Sequence, residues 1–233
     1  MKHLRIFAIV VTAILMVSCN KNDDQATGVG DVVIVAKQTG TSTVYGISLY
    51  AYSLSPFESV SAASVADASK TYTLKANQGY KTSFLYETPD NEFTATKPQA
   101  SIFNFAAIFE NGVTQEFQNT LSDKVLSVAT IEKCEYNETD HQLDVEWALV
   151  DNANNYALNI LEGSKFVFGS TALLDTRETY SIKASGNGWV SDFTPVSGKT
   201  YTVRLIAILY EPGGDAYNIQ ATSIAEKTVV WGN

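Results

Sequence analysis

The stretch Ser101-Ile102-Phe103-Asn104-Phe105-Ala106-Ala107-Ile108-Phe109, then Glu110-Asn111-Gly112, then Val113-Thr114-Gln115-Glu116-Phe117-Gln118-Asn119-Thr120-Leu121, decides the fold class. Successive side chains of a strand point to opposite sides, so the first arm places Phe103, Phe105, Ala107 and Phe109 together on one face, as a core would require. Asn111-Gly112 can supply the positive φ angles of a tight turn, and the two arms read as a hairpin. Outward from it, residues 31–36, 44–54 and 70–76 are rich in Val, Ile, Thr and Tyr and are bounded by Gly, Pro, Asn and Ser. No window of a dozen residues carries a 3.6-residue period. Residues 59–68 are small and read as a loop. The chain is expected to be all-β.

The second half carries more specific signals. Gln142-Leu143-Asp144-Val145-Glu146-Trp147 alternates with Leu143, Val145 and Trp147 inward, and Asn155-Tyr156-Ala157-Leu158-Asn159-Ile160 follows it. Phe193-Thr194-Pro195-Val196-Ser197-Gly198-Lys199-Thr200-Tyr201-Thr202-Val203-Arg204-Leu205 leads from a turn into a long strand. In order and spacing these segments resemble strands B, C and F of a fibronectin type III domain over nearly all of residues 126–231. That resemblance implies a tyrosine corner at Tyr201. Residues 31–124 have a sandwich-sized length without an equally clean match. The expected architecture is two tandem immunoglobulin-like or fibronectin type III-like β-sandwiches, residues 31–124 and 125–233.

Before them, Met1-Lys2-His3-Leu4-Arg5 is a positively charged start, and residues 6–17 are apolar except for Thr12. This is the charged and hydrophobic part of a signal peptide. It is shorter than the roughly 20 apolar residues of a membrane-spanning helix. Met16-Val17-Ser18-Cys19 resembles the bacterial lipobox, with Met in place of the usual Leu. The resemblance implies that residues 1–18 are removed and that Cys19 carries a diacylglycerol and an N-acyl chain. One chain anchors marginally and two or three hold firmly, at about 0.8 kcal/mol per buried methylene. The competing reading is an ordinary secretory signal that happens to contain Cys19. Residues 19–30 have almost no large apolar side chain and read as the lipidated Cys and a flexible tether. Lys21-Asn22-Asp23-Asp24 is similar to the acidic export signal that carries lipoproteins of the Bacteroidota to the cell surface. The resemblance implies an outer-membrane lipoprotein displayed at the cell surface; the competing reading is a solvated linker on a periplasm-facing lipoprotein.

Loss of Lys2 and Arg5 from the 16 basic residues leaves 14 against 25 acids, a net charge of −11. Such a surface argues against nucleic acid and against adsorption to anionic lipid. With Cys19 committed to lipid, Cys134 is a lone thiol, expected to be buried and inert. The mature chain keeps one histidine, His141, in the polar turn Glu138-Thr139-Asp140-His141-Gln142. One imidazole and one thiol cannot build a zinc site, and no Ser stands in a Gly-x-Ser-x-Gly elbow. Gly198-Lys199-Thr200 has the tail of a phosphate loop, but Phe193 stands where the loop's first glycine belongs and a strand follows. Asp144 and Glu146 share a strand face and are the acid pair a glycoside hydrolase would need. That face is opposite the core, and both acids are expected to be solvated. Oxygen-rich loops at residues 88–92, 151–155 and 211–215 could offer ligands to calcium. No cofactor and no metal site is assigned.

Binding surfaces remain. Trp189, in Gly186-Asn187-Gly188-Trp189, with Tyr180 nearby, is the candidate platform for sugar rings; packing of Trp189 over an open edge of the sandwich competes with that reading. Ile206, Ile208 and Tyr210 form an apolar face opposite Val203, Leu205 and Ala207 and are expected to meet the first unit or another protein. Three functions survive: a non-enzymatic surface lipoprotein that binds polysaccharide, a host ligand or a protein partner of a glycan-uptake assembly; a spacer or fimbria-like subunit, which would favour a long removable first strand; and a cryptic glycoside hydrolase.

Overall fold

A computed structural model describes residues 27–77, 79–213 and 218–232. The segment expected to be a signal peptide, Cys19 and most of the expected tether lie outside the described residues. Among the described residues no helix is long and apolar enough to cross a membrane.

Seven strands build the first unit: β1 (Gly28–Thr39), β2 (Ser42–Ser53), β3 (Phe57–Ser64), β4 (Asp67–Asn77), β5 (Tyr80–Glu87), β6 (Ser101–Phe109) and β7 (Thr114–Leu121). Their order is β1-β2-β5-β4-β3-β6-β7. β4 joins two layers: residues up to Leu74 pair with β3, while Lys75, Ala76 and Asn77 pair with β5. The layers enclose Val32, Ile34, Leu49, Phe57, Val60, Phe84 and the four residues Phe103, Phe105, Ala107 and Phe109 expected from the hairpin. The turn between β6 and β7 uses Gly112 alone at positive φ (80°), and Asn111 instead accepts a hydrogen bond from the Val113 amide (3.1 Å).

The second unit has β8 (Ile131–Asn137), β9 (Gln142–Trp147), β10 (Asn155–Glu162), β11 (Lys165–Gly169), β12 (Leu173–Leu174), β13 (Thr179–Lys183), β14 (Lys199–Tyr210) and β15 (Ile219–Trp231). The sheet β13-β9-β8 packs on β11-β10-β14-β15. Between them lie Leu143, Val145, Trp147, Tyr156, Leu158, Ile160, Tyr201, Val203 and Leu205. The Tyr201 hydroxyl accepts a hydrogen bond from the Val196 amide (2.9 Å), which is the tyrosine corner implied by the family resemblance. Both units are antiparallel two-layer sandwiches, and the fold is all-β.

Two local expectations change. Residues 59–68 are not a loop: β3 runs through Ser64, and β4 starts at Asp67. Small side chains suit β3 because Val60 and Ala62 lie under the rings of β6, opposite Ala107 and Phe105. Gly28, Val29 and Gly30 belong to β1 rather than to the tether. A Cβ on Gly30 would stand 2.9 Å from both Phe105 and Phe117, so the glycine lets stacked rings lie on its backbone. The two sandwiches are joined directly. β1 pairs in parallel with β15, Ile34 to Lys37 against Ala221 to Ile224, and the two units share one twelve-stranded sheet.

This junction explains why Val33 and Val35, on the face of β1 away from the first core, are also buried. The run Val32-Val33-Ile34-Val35-Ala36 is therefore buried on both faces, with Val35 at the floor of the crease between the units. The connecting segment is tied down as well: Ser223 Oγ on β15 donates to the Ser127 carbonyl (2.8 Å), and Leu126 and Ala129 enter the second core.

Candidate binding groove

The strands β10-β14-β15-β1-β2-β5 curve enough for residues of β10 and of the segment after β5 to line one concavity of about 320 Å³. Its apolar lining is Val35, Ile206, Ile224 and the ring of Tyr50. One wall holds Lys37, ion-paired with Asp90 and with its ammonium 3.8 Å from the centre of the Phe93 ring. The other holds Arg204, paired with Glu226 through Nη2 (2.7 Å), and Asn159. Ser48, Thr88, Glu87 and Thr222 complete the polar lining. The Lys37 hydrogen bond and charge hold the Asp90 carboxyl below its usual range, with Arg204 adding to this across the groove. Burial, then the Glu87 charge, pushes the Tyr50 phenol upward, so it stays a neutral hydrogen-bonding group. Each cation faces its own carboxylate, which leaves Glu87 as the third acid of the lining, and the groove otherwise offers hydroxyls, an amide and aromatic surface.

Ile206 of the anticipated apolar patch lines this groove, facing the first unit. Ile208 lies opposite Thr222 and Asn155 in the ladder, on the same face of β14. Tyr210 sits at the β14 end where the register shifts, its amide donating to Asn154 Oδ1 (2.8 Å) and its carbonyl accepting from Gln220 Nε2 (2.6 Å). Side by side with the groove, at the far end of the first unit, Tyr45, Tyr72, Asp67, Lys70, Glu92 and Gln99 line a second concavity of about 360 Å³. Thr88 borders both.

Trp189 does not stand free as a sugar platform. Its ring stacks on Phe193 (5.5 Å, 23°) and meets Phe168 and Trp231 edge-on, and its indole N–H donates to the Lys183 carbonyl (2.9 Å). The loop closes over the open edge of the sandwich, the competing reading of this residue. Tyr180 packs against the second core and lies opposite Val145 in the ladder, and the aromatic cluster gathers around Trp189 without it.

The acid pair is spoken for. Lys133 lies 3.9 Å from Asp144 and 3.6 Å from Glu146. Burial pushes the Asp144 carboxyl up, but hydrogen bonds from Ser181, Asn137 and Gln142 and the Lys133 charge hold it below its ordinary value. A general acid needs the opposite shift. His141 is exposed in its turn at φ 50°, and Cys134 is buried, its thiol pushed up to about 11 by burial. Among the described residues no three of His, Cys, Asp and Glu gather as metal ligands. The 211–215 loop lies partly outside the described residues.

The groove residues contributed by the first unit, Tyr50 and Lys37 foremost, were not singled out from sequence. The missed signal was the unbroken apolar run of β1.

No protein-family model and no curated protein matches the chain. Among solved structures it is similar to a two-domain fibronectin type III segment of chicken tenascin, at 12% identity over 86% of this chain and 97% of that one, with a TM-score of 0.30. It is also similar to fibronectin(III)-like modules of Clostridium thermocellum CbhA, at 12% identity, covering 86% and 94%, with a TM-score of 0.27. The class, an all-β protein of two immunoglobulin-like or fibronectin type III-like sandwiches, stands on the ladders above.

Proposed function

We propose that the chain is a non-enzymatic binding module, held on the outer membrane by lipid on Cys19 and displayed at the cell surface, with its ligand in the groove between the units. One observation carries this reading. The shared sheet fixes Tyr50, Lys37 and Phe93 of one unit opposite Asn159, Arg204 and Ile206 of the other, so the groove is formed before any ligand arrives. Preorganised concavities with aromatic surface and a few converging polar groups are the usual form of small-ligand sites. Two cations against three carboxylates disfavour an anionic ligand, the hydroxyls, amide and aromatic surface suit a hydroxyl-rich one, and a polysaccharide segment is the class that fits.

A polysaccharide array probed with the chain from Asn20 tests this. Binding that falls at least tenfold in Asn159→Ala, with the melting temperature unchanged, supports the groove. Hydrolysis of the bound polysaccharide would make the protein an enzyme. Absence of both binding and hydrolysis leaves a spacer. The shared sheet, which resists bending between the units, is what that second reading has in its favour. A fimbria-like exchange of the first strand is disfavoured, because β1 is paired to β2 along its whole length and to β15 on its other edge.

A further inference from the structure

The ladders bring one set of turns of the first unit to a common end. β1 begins opposite the end of β2 (Gly28 and Ser53), β3 begins opposite the end of β6 (Phe57 and Phe109), and β4 turns into β5 there (Asn77 and Tyr80). The Glu110 amide donates to the Pro56 carbonyl (3.1 Å), and the Glu110 carboxylate pairs with Lys81, so these turns are cross-linked.

This end is apolar. Leu54 is fully exposed, Tyr80 is 68% and Val29 63% exposed, and Tyr52 and Val113 are each about two-fifths exposed. Val29 and Tyr52 are direct cross-strand partners. Single exposed apolar side chains need no explanation, but five at one end of a sandwich do. The opposite end exposes fewer, Val65 (59%) beside Ile102 (44%), joined by a 2.8 Å backbone hydrogen bond, next to a concavity lined by Asp67, Lys70 and Glu92. Gly28 is also where the chain would arrive from a lipid on Cys19: nine Cα steps separate Cys19 from Gly28, a reach of at most about 32 Å.

We propose that this end of the first unit docks on the bilayer that carries the chain's own lipid, with Leu54, Tyr80 and Val113 entering the boundary between headgroups and acyl chains. The proposal rests on the reading of Cys19 as the lipidated residue. Tyrosines suit that boundary because one end of the ring is apolar and the other wet. Lys81 is matched by Glu110, so the attraction comes from apolar area and persists in neutral lipid and at high salt. Docking orients the molecule. β1 runs away from the bilayer, and β15, parallel to it and reaching past its Lys37 partner to Trp231, carries the second unit outward.

The test separates docking from lipidation. The chain from Asn20, with an N-terminal hexahistidine, is tethered to neutral phosphatidylcholine vesicles through a nickel-chelating lipid, which replaces the Cys19 anchor. An environment-sensitive dye is placed on Leu54→Cys, and on Val65→Cys at the opposite end as control; buried Cys134 stays unlabelled. The expected result is a blue shift and strong quenching by nitroxide lipid at position 54, unchanged by salt, with position 65 as in water. A dye at 54 as wet as the one at 65 overturns docking. Shielding at 54 that rises with concentration in vesicle-free solution also overturns it, assigning the surface to a second copy. Membrane fractionation of the full chain against Cys19→Ala tests the anchor independently.

Discussion

Asp31 is a buried carboxylate at the joint between the units, and among the described residues it forms no ion pair with a cation. Its oxygens accept hydrogen bonds from the amides of Val32 (2.8 Å) and Ile219 (3.2 Å), so it ties the start of β15 to β1. Desolvation outweighs these bonds and, with a smaller push from Glu211, raises its carboxyl to about 6. A native value above the unfolded one means that the folded state prefers the protonated form. Stability from this group is therefore fully present below about pH 4 and is lost as pH rises through about 6, on the order of 2–3 kcal/mol. Asp31→Asn should abolish that part of the pH dependence of urea unfolding; a mutant with the wild-type slope between pH 4 and 6 would refute the assignment. Absolute stability is a poorer measure, because Asn keeps only one of the two acceptor oxygens. Gly30 makes a complementary case: Gly30→Ala should cost about 1–3 kcal/mol, read from the same unfolding curves, because Phe105 is fully buried and cannot retreat from a new methyl group.

At the scale of elements, the alternating patterns were legible and the exceptions were not. β6 and β9 declare their inner faces in sequence, since each is covered on one side only. Tyr201 could be placed from its spacing to the preceding turn, because the corner is a contact five residues long. β1 resisted full reading because its second partner, β15, lies nearly 190 residues away, and only its continuous apolar run hinted at cover on both faces. Trp189 left two readings open, because Gly-Asn-Gly suggests exposure while Phe168 and Trp231, which reach it from β11 and β15, are not marked as its partners in sequence. Residues 28–30 looked like tether because glycines that admit rings carry no side chain to signal burial. An unpaired edge strand is a template for association. The isolated second unit, residues 125–233, would expose the β15 edge that β1 covers. It should self-associate in sedimentation velocity, whereas the chain from Asn20 should not do so through this edge. A monomeric fragment of undiminished melting temperature would show that β1 contributes little.

For the whole molecule, the question is whether two cores make two folding units. Their buried side chains form separate clusters, one from Val32 to Leu121 and one from Leu126 to Trp231, which by themselves predict independent melting. The shared sheet argues the other way. Unfolding the first unit would uncover Val33 and Val35 and remove the strand against β15, while unfolding the second would leave Asp31 without the Ile219 amide. Ordinary interfaces between domains are modest and polar and permit relative motion, but this one is a backbone ladder with buried valines on its outer face. Coupling of this kind should give one calorimetric transition whose van't Hoff and calorimetric enthalpies agree. Val35→Asp, which places a charge in the crease between the units without touching either core, should split it into two, with the groove lost at the first. If the wild-type chain already melts in two steps, the joint is too weak to hold Tyr50 and Asn159 in register, and the groove would have to form only when a ligand bridges it.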